Sequence, residues 1–408
     1  MIIELTDKLY QSAIPVLEII EQHGHEAYFV GGCVRDTLLG QAIHDIDIAS
    51  SATPDEIQAI FRSTIDVGKQ HGTIIVLYKS VPYEITTFRT EGKYSDCRRP
   101  DEVAFVRNLQ EDTLRRDFTI NALALSKNGK LLDYHNGVAD LEAKMIRAVG
   151  VAYERFDEDA LRMMRAIRFA SQLGFQIASE TMTAIQQLAP RLQLISTERI
   201  RVELTKFLIG DYVLEALPLL VESELAVHLP EFAPLLDKLP LEQVVSGLSD
   251  KIRPLLQATL PRDERLMWAF LVQTLNVEQV ERFLRVWTHS NQFIKEVQAL
   301  LRIQQAYEQQ AIDAWFVYQH DEALLALVAD WQQARKYNYQ PNVLQMKADL
   351  PIQSRKELAV NGKILMDYLQ MNQGGAVIGQ LLADIEQQVV EGKLANRSEA
   401  ILAQINQY

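Results

Sequence analysis

The feature that most constrains this chain is where its strand-forming residues stop. Apolar β-branched or alternating runs at 28–30, 45–49, 73–78 and 81–87 crowd the first third. Strand character ends near Tyr134, and from Val138 onward the periodicity is helical almost throughout. A chain divided in this way is α+β, a mixed sheet with its helices followed by an all-α remainder. At 408 residues it exceeds the size at which one core stops growing, and the change of period puts a junction near residue 145.

Local signals fill in the first part. Leu5, Leu9, Tyr10, Ile14, Leu17 and Ile20 recur at helical spacing, with Pro15 expected to open a second helix at its first turn and Gly24 to end it. Thr53 reads as a cap with Pro54 at the first helical position, for a helix running to about Phe61. The runs 73–78 and 81–87 form a hairpin about Lys79-Ser80.

The chemistry concentrates between Val30 and Ala49. Tyr28-Phe29-Val30 reads as a short buried strand that breaks at Gly31-Gly32 and re-enters a helix at Val34, with Arg35 and Asp36 in its first turn. Two glycines let bare backbone N–H groups approach a phosphate. Asp45 and Asp47 alternate with Ile46 and Ile48, so a period of two sets both carboxylates on one strand face and both isoleucines in the core. Paired carboxylates suit a hard divalent cation. Glu84, on the face opposite Ile85, offers a third carboxylate that could complete a triad.

A net charge of -13 argues against a protein that coats nucleic acid nonspecifically, although an arginine cluster inside an acidic molecule can still bind phosphates. No apolar run approaches the roughly 20 residues that span a bilayer, and the N-terminus lacks a signal pattern. Cys33 and Cys97, the only cysteines, are too few for a disulfide framework. The expectation is a cytoplasmic protein with Cys33 filling a packed turn.

The order GGCVRDTLLG and then HDIDIA resembles the DNA polymerase β-like nucleotidyltransferase superfamily, and within it the class II group of bacterial CCA-adding enzymes and poly(A) polymerases. Arg115-Arg116-Asp117-Phe118-Thr119, with Asn121-Ala122, matches the group's Arg-Arg-Asp-Phe-Thr-x-Asn-Ala signature, and Glu158-Asp159-x-x-Arg162 matches its templating motif. The resemblance implies a catalytic head over 1–145, a helical neck over 146–215, a helical body over 216–310 and a tRNA-binding tail over 311–408. It implies Asp45 and Asp47 as ligands of two Mg²⁺ ions about 3.5–4 Å apart, with Glu84 as a further catalytic group. Gly32, Arg35, Arg116, Arg165 and Arg168 would contact the nucleotide, and Asp159 and Arg162, expected three apart on one helix face, would read its base. Cytosine and adenine each present an amine donor beside a ring-nitrogen acceptor, which an acceptor-only Asp159 and a donor-only Arg162 complement. Guanine and uracil reverse that polarity, and such a site can discriminate by about 10⁴ or more.

The partners so implied are the tRNA 3′ end, CTP and ATP, without membrane or DNA, with monomer and homodimer both open. Poly(A) polymerases, CC-adding or A-adding enzymes, and an inactive tRNA-binding module are the alternatives. The polar stretch 89–102, with Arg98 and Arg99, resembles the loop used in switching from C to A, 196–204 resembles the neck motif, and the tail around Asn361-Gly362, Gly374-Gly375 and Gly392 resembles the Gram-positive type. His320-Asp321 lacks the neighbouring histidines of a metal motif.

Overall fold

The computed structural model describes residues 1–91, 103–371, 373 and 375–405, which leaves the 92–102 stretch with Arg98 and Arg99, and Gly374, outside the described residues. The chain forms two compact units, the first comprising 1–245 with 286–288 and the second the remainder.

The first unit opens with α1 (Lys8–Gln22), capped by Asp7, whose side chain accepts from Leu9 N–H. Pro15 lies inside this helix and starts no second one. The stripe Ala13, Val16, Leu17 and Ile20 is buried without interruption across it. That burial offsets the roughly 3 kcal/mol that an interior proline costs.

Nine strands follow in order: β1 (Ala27–Val30), β2 (Asp47–Ser50), β3 (Thr64–Gly68), β4 (Thr73–Tyr78), β5 (Val81–Thr87), β6 (Arg89–Glu91), β7 (Val103–Phe105), β8 (Leu123–Leu125) and β9 (Leu131–Asp133). Among the described residues seven of them form one mixed sheet in the order β3-β4-β5-β2-β1-β8-β9. Only β2 and β5 run parallel in it. The β4–β5 turn holds Lys79 and Ser80 at φ +50° and +65°, the left-handed pair that suits a two-residue hairpin. Phe29, Ile48, Ile74, Val76 and Ile85 are buried, while Asp47 and Glu84 take the alternate face, as a period of two requires.

Helices α2 (Gly32–Leu38), α3 (Pro54–Ile60), α4 (Leu109–Leu114) and α5 (Gly137–Glu142) flank the sheet strands in sequence. In α3 the Thr53 hydroxyl accepts from Glu56 N–H and the Glu56 carboxylate accepts from Thr53 N–H, a complete capping box. Beyond them come α6 (Ala152–Glu158), α7 (Leu161–Leu173), α8 (Ser179–Leu188) and α9 (Thr197–Leu208). Strand pairing does not end at Tyr134. β10 (Met145–Ile146) pairs in parallel with β11 (Gln176–Ile177), two-residue strands too short to leave a periodic signal.

The second unit is helical. Trp268, Phe270 and Trp331 are buried in it, and the Trp331 indole N–H donates to the Lys251 carbonyl. A separate cluster of Leu365, Ile378, Val389 and Ile401 holds the tail. His320 Nδ1 bonds the Phe316 carbonyl and Asp321 caps the helix Glu322–Ala334, so this pair has a structural explanation. Asn361 and Gly375 are also helix caps. Among the described residues no helix is long and apolar enough to cross a membrane.

Candidate active site

One cleft of about 970 Å³ in the first unit is lined by Gly32, Arg35, Asp45, Asp47, Glu84, Arg116, Asp159, Arg162, Arg165 and Arg168, all ten residues expected from the sequence. Among the described residues eight arginines and six carboxylates line it, a positive pocket in an acidic protein.

The sheet supplies the floor. Asp47 begins β2 and pairs in register with Glu84 on β5, so the two carboxylates stand on neighbouring strands. Asp45 precedes the strand and is not part of it, although Ile46 and Ile48 enter the core as the alternation requires. Burial, and then the negative charges of Asp45 and Glu84, push the Asp47 carboxyl up to about 6, against the pull of Arg116. Asp47 lines the cleft and keeps accessible surface there, so it is open to a ligand.

This cluster fits a divalent cation, whose charge would relieve the repulsion that raises Asp47. Among the described residues no three His, Cys, Asp or Glu side chains are grouped to grip an ion unaided, so the expected triad is not assembled. Asp45 lies before the strand, whereas Asp47 and Glu84 share its register, and all three line the cleft. Two carboxylates completed by water and ligand phosphates remain a normal Mg²⁺ environment.

Gly31 makes the turn above Asp47. It sits at φ +75°, and a Cβ there would lie 3.4 Å from Asp47 Oδ2 and 3.8 Å from Arg116 Nη1. Helix α2 accordingly starts at Gly32, two residues before the expected Val34. The Cys33 thiol beneath donates to the Val30 carbonyl, and burial pushes it up to about 11, so it is packing.

The Arg-Arg-Asp-Phe-Thr-x-Asn segment forms the wall. Buried Asp112 holds both arginines, Arg115 at 2.8 Å and Arg116 at 3.3 Å. Asp117 Oδ1 accepts from Phe118 N–H and from the Asn121 amide, and Asn121 Oδ1 in turn accepts from Arg35. Asp117 Oδ2 accepts from Arg165. Burial opposes a charge on Asp117, yet Arg165 and Asn121 hold it down at about 2. A chain of contacts Arg35–Asn121–Asp117–Arg165 thus ties the glycine turn to α7.

On α7, Met164 and Ile167 are buried away from the cleft as expected, whereas Leu161, also buried, lines it. Asp159 and Arg162 do not share one helix. Asp159 is extended (φ −135°, ψ 101°) and ends α6, while Arg162 lies in the first turn of α7. The break is local chemistry: Asp159 Oδ1 accepts from Leu161 N–H, an Asx-type bond that competes with helix continuation. Both side chains still line the cleft. Asp159 Oδ2 accepts from Arg199 at 2.7 Å, and Arg162 donates to Glu158 and to the Arg155 and Arg115 carbonyls. Arg168 pairs with buried Glu203, and burial pushes it down to about 10.

Asp117, Asn121, Phe169 and Arg199 also line the site and were not singled out as site residues. Asp117 and Asn121 sit inside the quoted signature and Arg199 inside the neck motif, so their signal was present; Phe169 reads as an ordinary apolar helix residue.

A mixed sheet bearing paired acidic residues beneath a glycine turn, faced by an arginine-rich helix, defines a nucleotidyltransferase head. Residues 27–147 match the family model for the poly A polymerase head domain, and 260–405 that for tRNA nucleotidyltransferase domain 2. The chain is 44% identical to CCA-adding enzymes of Levilactobacillus brevis, across 97% of each chain, and of Enterococcus faecalis, across 97% of this chain and 95% of the other. It belongs to the CCA-adding enzyme family. Among solved structures, the Bacillus stearothermophilus CCA-adding enzyme in complex with CTP is 37% identical, with a TM-score of 0.86 over 98% of both chains. A Thermotoga maritima CCA-adding enzyme complexed with tRNA, 21% identical with a TM-score of 0.62, shares the fold.

Proposed function

We propose that this chain adds CCA to the 3′ end of tRNA from CTP and ATP, releasing pyrophosphate and using no nucleic-acid template. The observation that carries the reading is that acidic floor, arginine wall and the Asp159/Arg162 pair line one cleft of one compact unit. The family membership and the CTP named with the Bacillus stearothermophilus enzyme support it.

In this reading Arg35, Arg116, Arg165 and Arg168 hold the triphosphate by charge-assisted hydrogen bonds, and Gly32 leaves room for it beside Arg35. Mg²⁺ bound by Asp45 and Asp47 supplies Lewis-acid stabilisation of charge on the reacting oxygens. Glu84, beside Asp47, takes up the proton of the 3′ hydroxyl. Asp159 accepts the exocyclic amine of cytosine or adenine, and Arg162 donates to the ring nitrogen. Arg162 exchanges a carbonyl partner for the base in doing so. The base-reading neck over 146–215 belongs functionally with the head, and the tail over 311–408 grips tRNA. The reaction is set in the cytoplasm.

The test is extension of tRNA lacking its 3′ end with CTP alone, ATP alone and both. CCA addition gives two added nucleotides with CTP and three with both. An adenosine ladder would replace this reading with a poly(A) polymerase, and no extension with an intact fold would leave a binding module.

A further inference from the structure

Phe169 is an apolar residue surrounded by charge. The guanidinium carbons of Arg168, Arg35 and Arg165 lie over its ring at 4.0, 5.0 and 5.5 Å from the centroid. Arg35 comes from α2 and the other two from α7, and all four residues line the cleft. Three like charges converging in a partly buried site repel one another. Each has a carboxylate ion-pair partner, Asp36, Asp117 and Glu203 respectively for Arg35, Arg165 and Arg168, and Arg165 also feels Glu203 and Asp159. A fourth carboxylate at their common centre would cancel charge that a polyanionic ligand needs, whereas an aliphatic side chain would provide no attraction. An aromatic face attracts all three without neutralising any of them.

The ring is itself fixed. Phe118 meets it edge to face, with centroids 5.8 Å apart and planes at 87°. Asp117 and Phe118, adjacent in the signature segment, therefore meet Arg165 and Phe169, one helical turn apart on α7, through an ion pair and a ring pair. The ring is set by the same segment that holds Arg165 and, through Asn121, Arg35, while Glu203 on α9 holds Arg168.

We propose that Phe169 is a positioning residue for the nucleotide's triphosphate: its ring gathers Arg35, Arg165 and Arg168 into one phosphate cradle and leaves their charge intact. This rests on the nucleotide-transfer reading above.

The decisive experiment drains the ring's electron density while adding little volume. Phe169 is replaced by 4-fluoro-, 3,5-difluoro- and 3,4,5-trifluorophenylalanine, and binding of CTP and of inorganic tripolyphosphate is measured by calorimetry, with incorporation kinetics alongside. Affinity for both probes should fall stepwise, to roughly tenfold weaker in the trifluoro form. KM for CTP and ATP should rise in parallel, with kcat and tRNA affinity within about threefold of the parent. Phe169→Leu should show the same KM rise, and Phe169→Tyr should bind like the parent. Fluorinated forms that bind both probes as phenylalanine does, in a chain that extends tRNA, would reduce Phe169 to packing and overturn the inference. A parent chain that neither binds CTP nor extends tRNA would instead remove the functional reading on which it stands.

Discussion

Both Nε and Nη2 of Arg165 converge on a single oxygen of Asp117, at 2.7 and 2.6 Å, while the other oxygen accepts from Phe118 N–H and Asn121. Asp117 is thereby the buried joint between the signature segment and α7. Asp117→Ala should cost about 2 kcal/mol in urea unfolding, less than a fully buried pair because Arg165 is partly open to the cleft. It should also weaken nucleotide binding, since Arg35 is reached through the same network.

The same carboxyl has a pH signature. Its folded value of about 2 lies below the ordinary 3.8, so its stabilising effect is complete above pH 4 and is lost as pH falls toward 2. The stability gap between parent and Asp117→Asn should narrow across that window in acid titrations followed by circular dichroism.

Asp47 behaves in the opposite sense. Its folded value of about 6 lies above the ordinary 3.8, so the ionised group disfavours the metal-free fold above pH 6, and protonation removes that penalty as pH falls toward 4. Asp47→Asn should therefore raise Tm without metal at pH 8 and leave it unchanged at pH 4. Mg²⁺ should raise the Tm of the parent more at pH 8 than at pH 5, with no such gain in the variant.

Removing either floor carboxylate tests the transfer step. Asp45→Ala and Asp47→Ala should each lower incorporation by about a thousandfold or more, several kcal/mol of transition-state stabilisation, with circular dichroism unchanged. Retained turnover in either variant would refute its assignment as a metal ligand.

Gly31 offers a steric test. Gly31→Ala forces a side chain to φ +75°, ψ −135°, a region open almost to glycine alone, at a cost of about 1–3 kcal/mol, and brings a methyl to 3.4 Å from Asp47 Oδ2. Stability should fall by that amount in thermal melts, and Mg²⁺-dependent stabilisation should shrink with it.

The legible parts of this protein were those written in local periodicity. The Lys79-Ser80 hairpin and the Thr53 capping box follow from turn and capping chemistry within a few residues, and alternation sets Glu84 opposite Ile85, whereas the pairing of Glu84 with Asp47 joins distant strands. Pro15 misled because a continuous apolar stripe outweighed a local breaker, and the Asp159–Arg162 face because a carboxylate bonded its own backbone two residues on. Arg199 on Asp159 and Arg35 on Phe169 lie beyond any local pattern, since folding brings together residues 40 or more apart, whereas Arg165 and Arg168 share the helix of Phe169. The alternation put Asp45 on the strand with Asp47, but β2 begins only at Asp47.

Asp159 ends one helix, accepts from the first N–H of the next at Leu161, and leans on Arg199. The corner of the backbone and the proposed choice of base therefore share a single side chain. Rewriting which letters are admitted is then a coupled redesign, because any replacement at 159 must rebuild the bend and give Arg199 a new counterpart as well.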